Sequence, residues 1–158
     1  MDRLEFIREK VDEQIKKIAQ ENLRKLAYIH TYGVAQIAVL LAKLRNEDAE
    51  LACVAAMLHD ISLYVENCPH SVHAEHSAKL AKSILEESNL FTCNEILTIC
   101  TMITCHSNKL SRQDSPLSET LKDADVLQHY LYNTNIPPNE KDKVRLYCLL
   151  EKMNTLKK

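Results

Sequence analysis

The chain has 158 residues, enough for one ordinary domain with a real core, and its charge nearly balances at 20 Lys+Arg against 22 Asp+Glu, which excludes a surface built for extended contact with nucleic acid or anionic membrane. Its only glycine is Gly33, where average usage is roughly 7%. Dinucleotide fingerprints and P-loops, which need several glycines to bring backbone against a phosphate, are therefore excluded, and with no tryptophan and two phenylalanines so are aromatic platforms for stacking bases.

In chain order the apolar positions recur every three or four residues. Leu4, Ile7, Val11, Ile15 and Ile18 predict an amphipathic first helix. The charged opening MDRLEFIREKVDEQ suits that helix and not a signal peptide. No run approaches ~18 consecutive apolar residues, so neither a membrane span nor export is expected, and a cytoplasmic protein is. Leu23, Leu26, Ala27, His30, Val34, Ile37, Ala38 and Leu41 carry a second helix to about Leu44. Asn46 is expected to cap a third, ELACVAAMLHD, nearly all small or apolar, so that it should lie at the centre. A loop is expected over 62–71, around Asn67 and Pro69, and a fourth helix over 72–87. Thr92 and Glu95 make a capping box for a fifth, which sets Ile96, Ile99, Ile103 and His106 on one face. The polar stretch 108–116 reads as loop and 117–130 as a sixth helix. Asn133, Asn135, Pro137 and Pro138 then break the chain before a last helix over 139–153 and a frayed lysine end. The expectation is an all-α bundle of about six to seven helices, one domain over 1–158. Its six cysteines (Cys53, Cys68, Cys93, Cys100, Cys105, Cys148) are scattered without a CxxC pair and read mostly as reduced core thiols.

A few polar residues interrupt this apolar pattern. His59 and Asp60 end the most buried helix, where an ionised carboxylate is costly without a nearby cation because burial and the helix dipole both oppose it; a structural cap or ion pair is the alternative. His30 stands in the second helix where Leu or Ala is expected, as a ligand or a hydrogen-bonded core histidine. Within LKDADVL, one of Asp123 and Asp125 should face inward. Two histidines and two carboxylates form a nitrogen/oxygen set suited to iron, manganese, zinc or magnesium rather than a sulphur site.

The order H…HD…D resembles the HD-domain metal-dependent phosphohydrolase superfamily over nearly the whole chain. HTYGVAQIAVLLAKL around His30, AELACVAAMLHDI ending in His59-Asp60, and LKDADVL around Asp125 carry the likeness. The resemblance implies that His30, His59, Asp60 and Asp125 ligate one metal. In two-metal members Asp60 would bridge to a second ion held by His73, four residues before Ser77-Ala78, and by His106; His76 is the register alternative to His73. It implies one or two divalent ions (Fe, Mn, Zn, Co, Ni or Mg), with Asp60 and Asp125 catalytic in hydrolysis of a nucleotide or other small phosphorylated substrate by metal-activated water. Lys109 and Arg112, just past His106, are candidate phosphate contacts, and Lys79 a weaker one. The doublet continues as Ile61-Ser62, without the glycine of the signalling phosphodiesterases, and the first acid after it, Glu66, does not match the short nucleotidases. The layout is similar to small two-metal members, some of which resemble dinucleoside-polyphosphate hydrolases. A di-iron oxygenase and a non-catalytic metal- or nucleotide-binding sensor domain are the alternatives. A homo-oligomer is compatible with either terminal helix offering its apolar stripe to a partner.

Overall fold

The computed structural model describes residues 2–65 and 68–155, and all regular structure among them is helical: α1 (Arg3–Lys16), α2 (Glu21–Leu44), α3 (Ala49–Leu58), α4 (Ile61–Val65), α5 (His73–Ser88), α6 (Cys93–Cys105), α7 (Pro116–Tyr132) and α8 (Glu140–Thr155). Seven are long, as the periodicity predicts. The eighth, α4, replaces the start of the expected loop, because Ile61 and Ser62 continue inward and are buried. Glu66 and Asn67, in the rest of that loop, and the lysine end, Lys157 and Lys158, lie outside the described residues.

Local chemistry sets the helix ends. The Asp2 carboxylate accepts from Leu4 N and Glu5 N to start α1, and Thr92 and Glu95 form the expected reciprocal box at the start of α6. Ser115 caps α7, with Pro116 in the first turn where its missing N–H costs nothing. Asn46 does not cap α3. Its φ of 56° places it in the left-handed region, where it ends α2 just past Arg45. Asp48 caps α3 instead, accepting from Glu50 N and Leu51 N at 3.0 Å each.

Every residue from Leu51 to Leu58 is buried, and α3 packs against α1, α2, α5, α6 and α7, with α2 also lying along α7 and α5 along α6. By length and composition alone α2 would pass for a membrane span, with an 18-residue window of mean hydropathy 1.2. Here its Ala27, Thr31, Val34, Ala38 and Leu41 stripe packs into the core, while Leu26, Ile29 and Leu40 stay exposed. All six cysteines are free; Cys53 and Cys68 are buried and Cys93 is exposed.

Candidate metal centre

Helix ends deliver four of the six sequence-predicted ligands to one place. α3 stops at Leu58 with His59 as its C-cap, and Asp60 follows in the turn before α4. His73 opens α5 and His106 is the C-cap of α6. Ser62 donates its hydroxyl to the His73 carbonyl (2.9 Å) and accepts from Ser77 Oγ (2.9 Å), which joins α4 to the first turn of α5 and fixes where His73 begins. The remaining two, His30 and Asp125, come from the interiors of α2 and α7. Asp123 also faces inward, so both acids of LKDADVL are buried, but it pairs with Arg45 and Arg145.

Asp60 lies between two pairs of imidazoles. Its Oδ2 is 3.4 Å from His30 Nε2 and 3.5 Å from His59 Nε2. Its Oδ1 is 3.1 Å from His73 Nε2 and 3.3 Å from His106 Nε2. Asp125 Oδ1 closes the first pair, 3.5 Å from His30 Nε2 and 3.9 Å from His59 Nε2. Within the pairs the Nε2 atoms are 3.2 Å (His30, His59) and 3.0 Å (His73, His106) apart. Ligand atoms ~2.0–2.2 Å from one ion stand about 3.0–3.5 Å from each other at the corners of an octahedron or tetrahedron, so most of these separations are those of ligands sharing an ion.

The tautomers are set for that use. His59 Nδ1 donates to the Ala56 carbonyl (2.7 Å), His73 Nδ1 to the His70 carbonyl (2.7 Å) and His106 Nδ1 to the Ile103 carbonyl (2.6 Å). His30 Nδ1 donates to Gln128 Oε1 (2.7 Å). Oxygen acceptors require the proton on Nδ1, which in the neutral ring leaves the Nε2 lone pair directed at the carboxylates. Metal-ligating histidines are held in this way.

Electrostatics separates the members. Burial pushes the His59 pKa down to about 4, leaving it a neutral donor. Burial acts on His30 too, but Asp60 and Asp125 outweigh it and raise the value to about 9; His73 is raised for the same reason. Burial drives the carboxylates upward, yet the imidazoles around Asp60, and Lys109 with the imidazoles around Asp125, hold both well below the usual carboxylate range. Asp60 Oδ1 and Asp125 Oδ1 are nevertheless buried without a hydrogen-bond partner, an arrangement that is costly unless a cation faces them. Two groups of donor atoms, His30/His59/Asp125 and His59/Asp60/His106, each lie within 4.8 Å of one another, and the chain thus presents two His/Asp clusters fit for a divalent metal.

The cluster opens into a cleft of about 260 Å³ lined by Asp60, His73, His106, Ser107, Lys109 and Asp125 among others. Lys109 Nζ ion-pairs with Asp125, and its loop is pinned by Arg145, a buried α8 side chain that donates to the Lys109 carbonyl (2.9 Å) and the Ser111 carbonyl (2.6 Å). Arg112 is exposed and does not line the cleft, nor do His76 or Lys79. Cys105, beside His106, belongs to neither donor group. The sequence reading missed Gln128, His129 and Ser107. His129 stacks on His30 with ring centroids 4.8 Å apart, and Ser107 Oγ is 3.2 Å from His73 Nε2. The signal for the first two was their spacing of three and four residues from Asp125, one face of α7.

No curated protein matches the chain. A solved structure, described as a predicted HD superfamily hydrolase from an uncultured Thermotogales bacterium, is 19% identical and superposes with a TM-score of 0.61 over 94% of this chain and 90% of that one. At that identity the likeness is one of fold. The HD-domain family model matches residues 27–130, from Ala27, one turn before His30, to Tyr130, past Asp125, and the chain belongs to the HD-domain family.

Proposed function

We propose that the protein is a metal-dependent phosphohydrolase acting on a nucleotide or other small phosphorylated substrate through two divalent ions that share Asp60. The observation that carries this reading is the division of Asp60, whose two oxygens each face a different pair of histidines. His30, His59, Asp60 and Asp125 would hold one ion; Asp60, His73 and His106 the other. The nitrogen/oxygen donor set suits Fe, Mn, Zn, Co, Ni or Mg. Ions so held would polarise a phosphoryl oxygen and make water nucleophilic at neutral pH.

The chain's own residues do the rest. The two carboxylates, kept ionised by their surroundings, would hold the ions and through them orient the attacking water. Lys109, at the mouth of the cluster, places a positive charge where phosphoryl oxygens reach the cleft. With the cleft's imidazoles and carboxylates engaged as ligands, the reaction would run by direct water attack without a covalent enzyme intermediate. A screen for phosphate release with each of the six metals, over nucleotides, dinucleoside polyphosphates and sugar phosphates, tests the reading. Metal-dependent turnover of at least one class is expected. Tight nucleotide binding without turnover under every metal would convert the protein to a binding module, and an oxygen-dependent product without phosphate release to an oxygenase.

A further inference from the structure

A second cleft, of about 210 Å³, opens between α2 and α7 beside the cluster, lined by Leu26, Ile29, His30, Gln128, His129 and Tyr132. Leu26, Ile29 and Tyr132 are 45, 49 and 54% exposed. No Lys, Arg, Asp or Glu lines this cleft among the described residues, whereas the metal cleft carries Lys109 and Lys141. His129 lines both: its ring is 14° from parallel with that of His30, and its Nδ1 is 3.7 Å from Asp125 Oδ1. A mostly apolar cleft, whose lining holds no Lys, Arg, Asp or Glu, thus adjoins a charged one across a single side chain.

We propose that this cleft seats the base of a nucleotide whose phosphates lie at the metal cluster, an inference that rests on the phosphohydrolase reading and names its substrate class. A ligand spanning both clefts needs an anionic end and an uncharged, apolar end, as a nucleotide has and a sugar phosphate has not. The volume is below the ~300 Å³ at which whole drug-sized ligands are accommodated, which suits one ring system. Apolar walls with a few directed polar groups are the usual composition of such a site. Gln128 supplies one: its Oε1 is engaged by His30 Nδ1, which leaves its amide N–H groups to donate to a ring nitrogen or carbonyl. Ile29 and Tyr132, on facing helices, offer apolar and aromatic surface to the flat faces.

Adenosine, which has no phosphate, tests the subsite without metal or turnover. Titrated into metal-free protein with labelled methyl groups, it should shift the Leu26 and Ile29 resonances saturably, and the Leu26 shift should be lost in Tyr132→Ala and Ile29→Asp, exposed-site changes whose folding circular dichroism checks. In metal-loaded protein the preference for adenosine monophosphate over ribose 5-phosphate, as a ratio of kcat/KM, should fall about tenfold in I29D. Shifts confined to other residues, no shifts up to the solubility limit, or the same methyls shifting with protein concentration alone would overturn the subsite, the last because a second copy of the chain then covers this face. The two readings fail separately. If adenosine shifts these methyls but no phosphate ester turns over, hydrolysis fails and the subsite stands. If esters turn over with equal preference in the parent and I29D, the subsite fails and hydrolysis stands.

Discussion

Gly33 lies one helical turn past His30 on α2, and a Cβ there would meet Gln128 Cγ at 2.9 Å, Nε2 at 3.3 Å and Cδ at 3.5 Å. Non-bonded carbons are at ease at about 3.5–4.0 Å, so Gly33→Ala must displace the Gln128 side chain by roughly half an ångström, starting from Cγ, where it has least freedom. Gln128 Oε1 holds His30 Nδ1 at 2.7 Å. Loss of such an outer partner costs about 10–100-fold in metal affinity, or ~1.4–2.7 kcal/mol. Helix propensity acts in the opposite direction, since alanine within a helix is better than glycine by roughly 0.5–1 kcal/mol. G33A should therefore bind metal at least about tenfold more weakly in chelator competition, while its chelator-treated form melts within a few degrees of the parent. In Gln128→Ala the obstruction is gone, and adding G33A there should cost less than about 0.5 kcal/mol more in metal binding. Metal affinity within twofold of the parent in G33A would refute the reasoning.

Metal binding must displace the proton from His30, whose pKa the neighbouring carboxylates lift to about 9 against the effect of burial. Affinity measured calorimetrically should thus rise about tenfold per pH unit from pH 7 to 9 and level off above, and a flat profile would contradict this account. Lys109→Met should leave metal affinity no weaker, because it removes the cation that competes for Asp125, yet lower kcat/KM by about 100-fold; unchanged kcat/KM would remove Lys109 from the phosphate site. Arg145→Met leaves Asp123 and Glu119 without the guanidinium that now lies 2.8 Å from each, and urea unfolding should show a loss of about 3–5 kcal/mol. A loss below ~1 kcal/mol would mean that neighbouring Arg45 and Lys122 compensate.

The long helices, and the inward-facing His30, His59 and Asp60, were legible because both rest on local pattern, whereas His73 and His106 were indicated by the family resemblance alone. A histidine at position 30 interrupts an apolar stripe, and His59-Asp60 ends a run in which every other residue is small or apolar. What escaped depends on neighbours distant in sequence or on finer backbone geometry. Asn46 and Asp48 are equally good caps by residue type, and only the left-handed φ of Asn46 assigns it to the end of α2. α4 is too short for a period to show. Arg112 and Lys109 look alike in sequence, but the Arg145 guanidinium pins the loop so that Lys109 alone of the two lines the cleft. Gln128 and His129 sit near a helix end, where polar residues usually face solvent, and their role appears only once α2 is laid along α7.

Metal content per chain, measured by mass spectrometry on protein purified without a chelating tag, bears directly on the shared Asp60. Two equivalents are expected in the parent, one in His106→Ala, and none, with phosphate release abolished, in Asp60→Ala. Full metal content and undiminished turnover in D60A would contradict the assignment of Asp60 as the residue on which both ions depend.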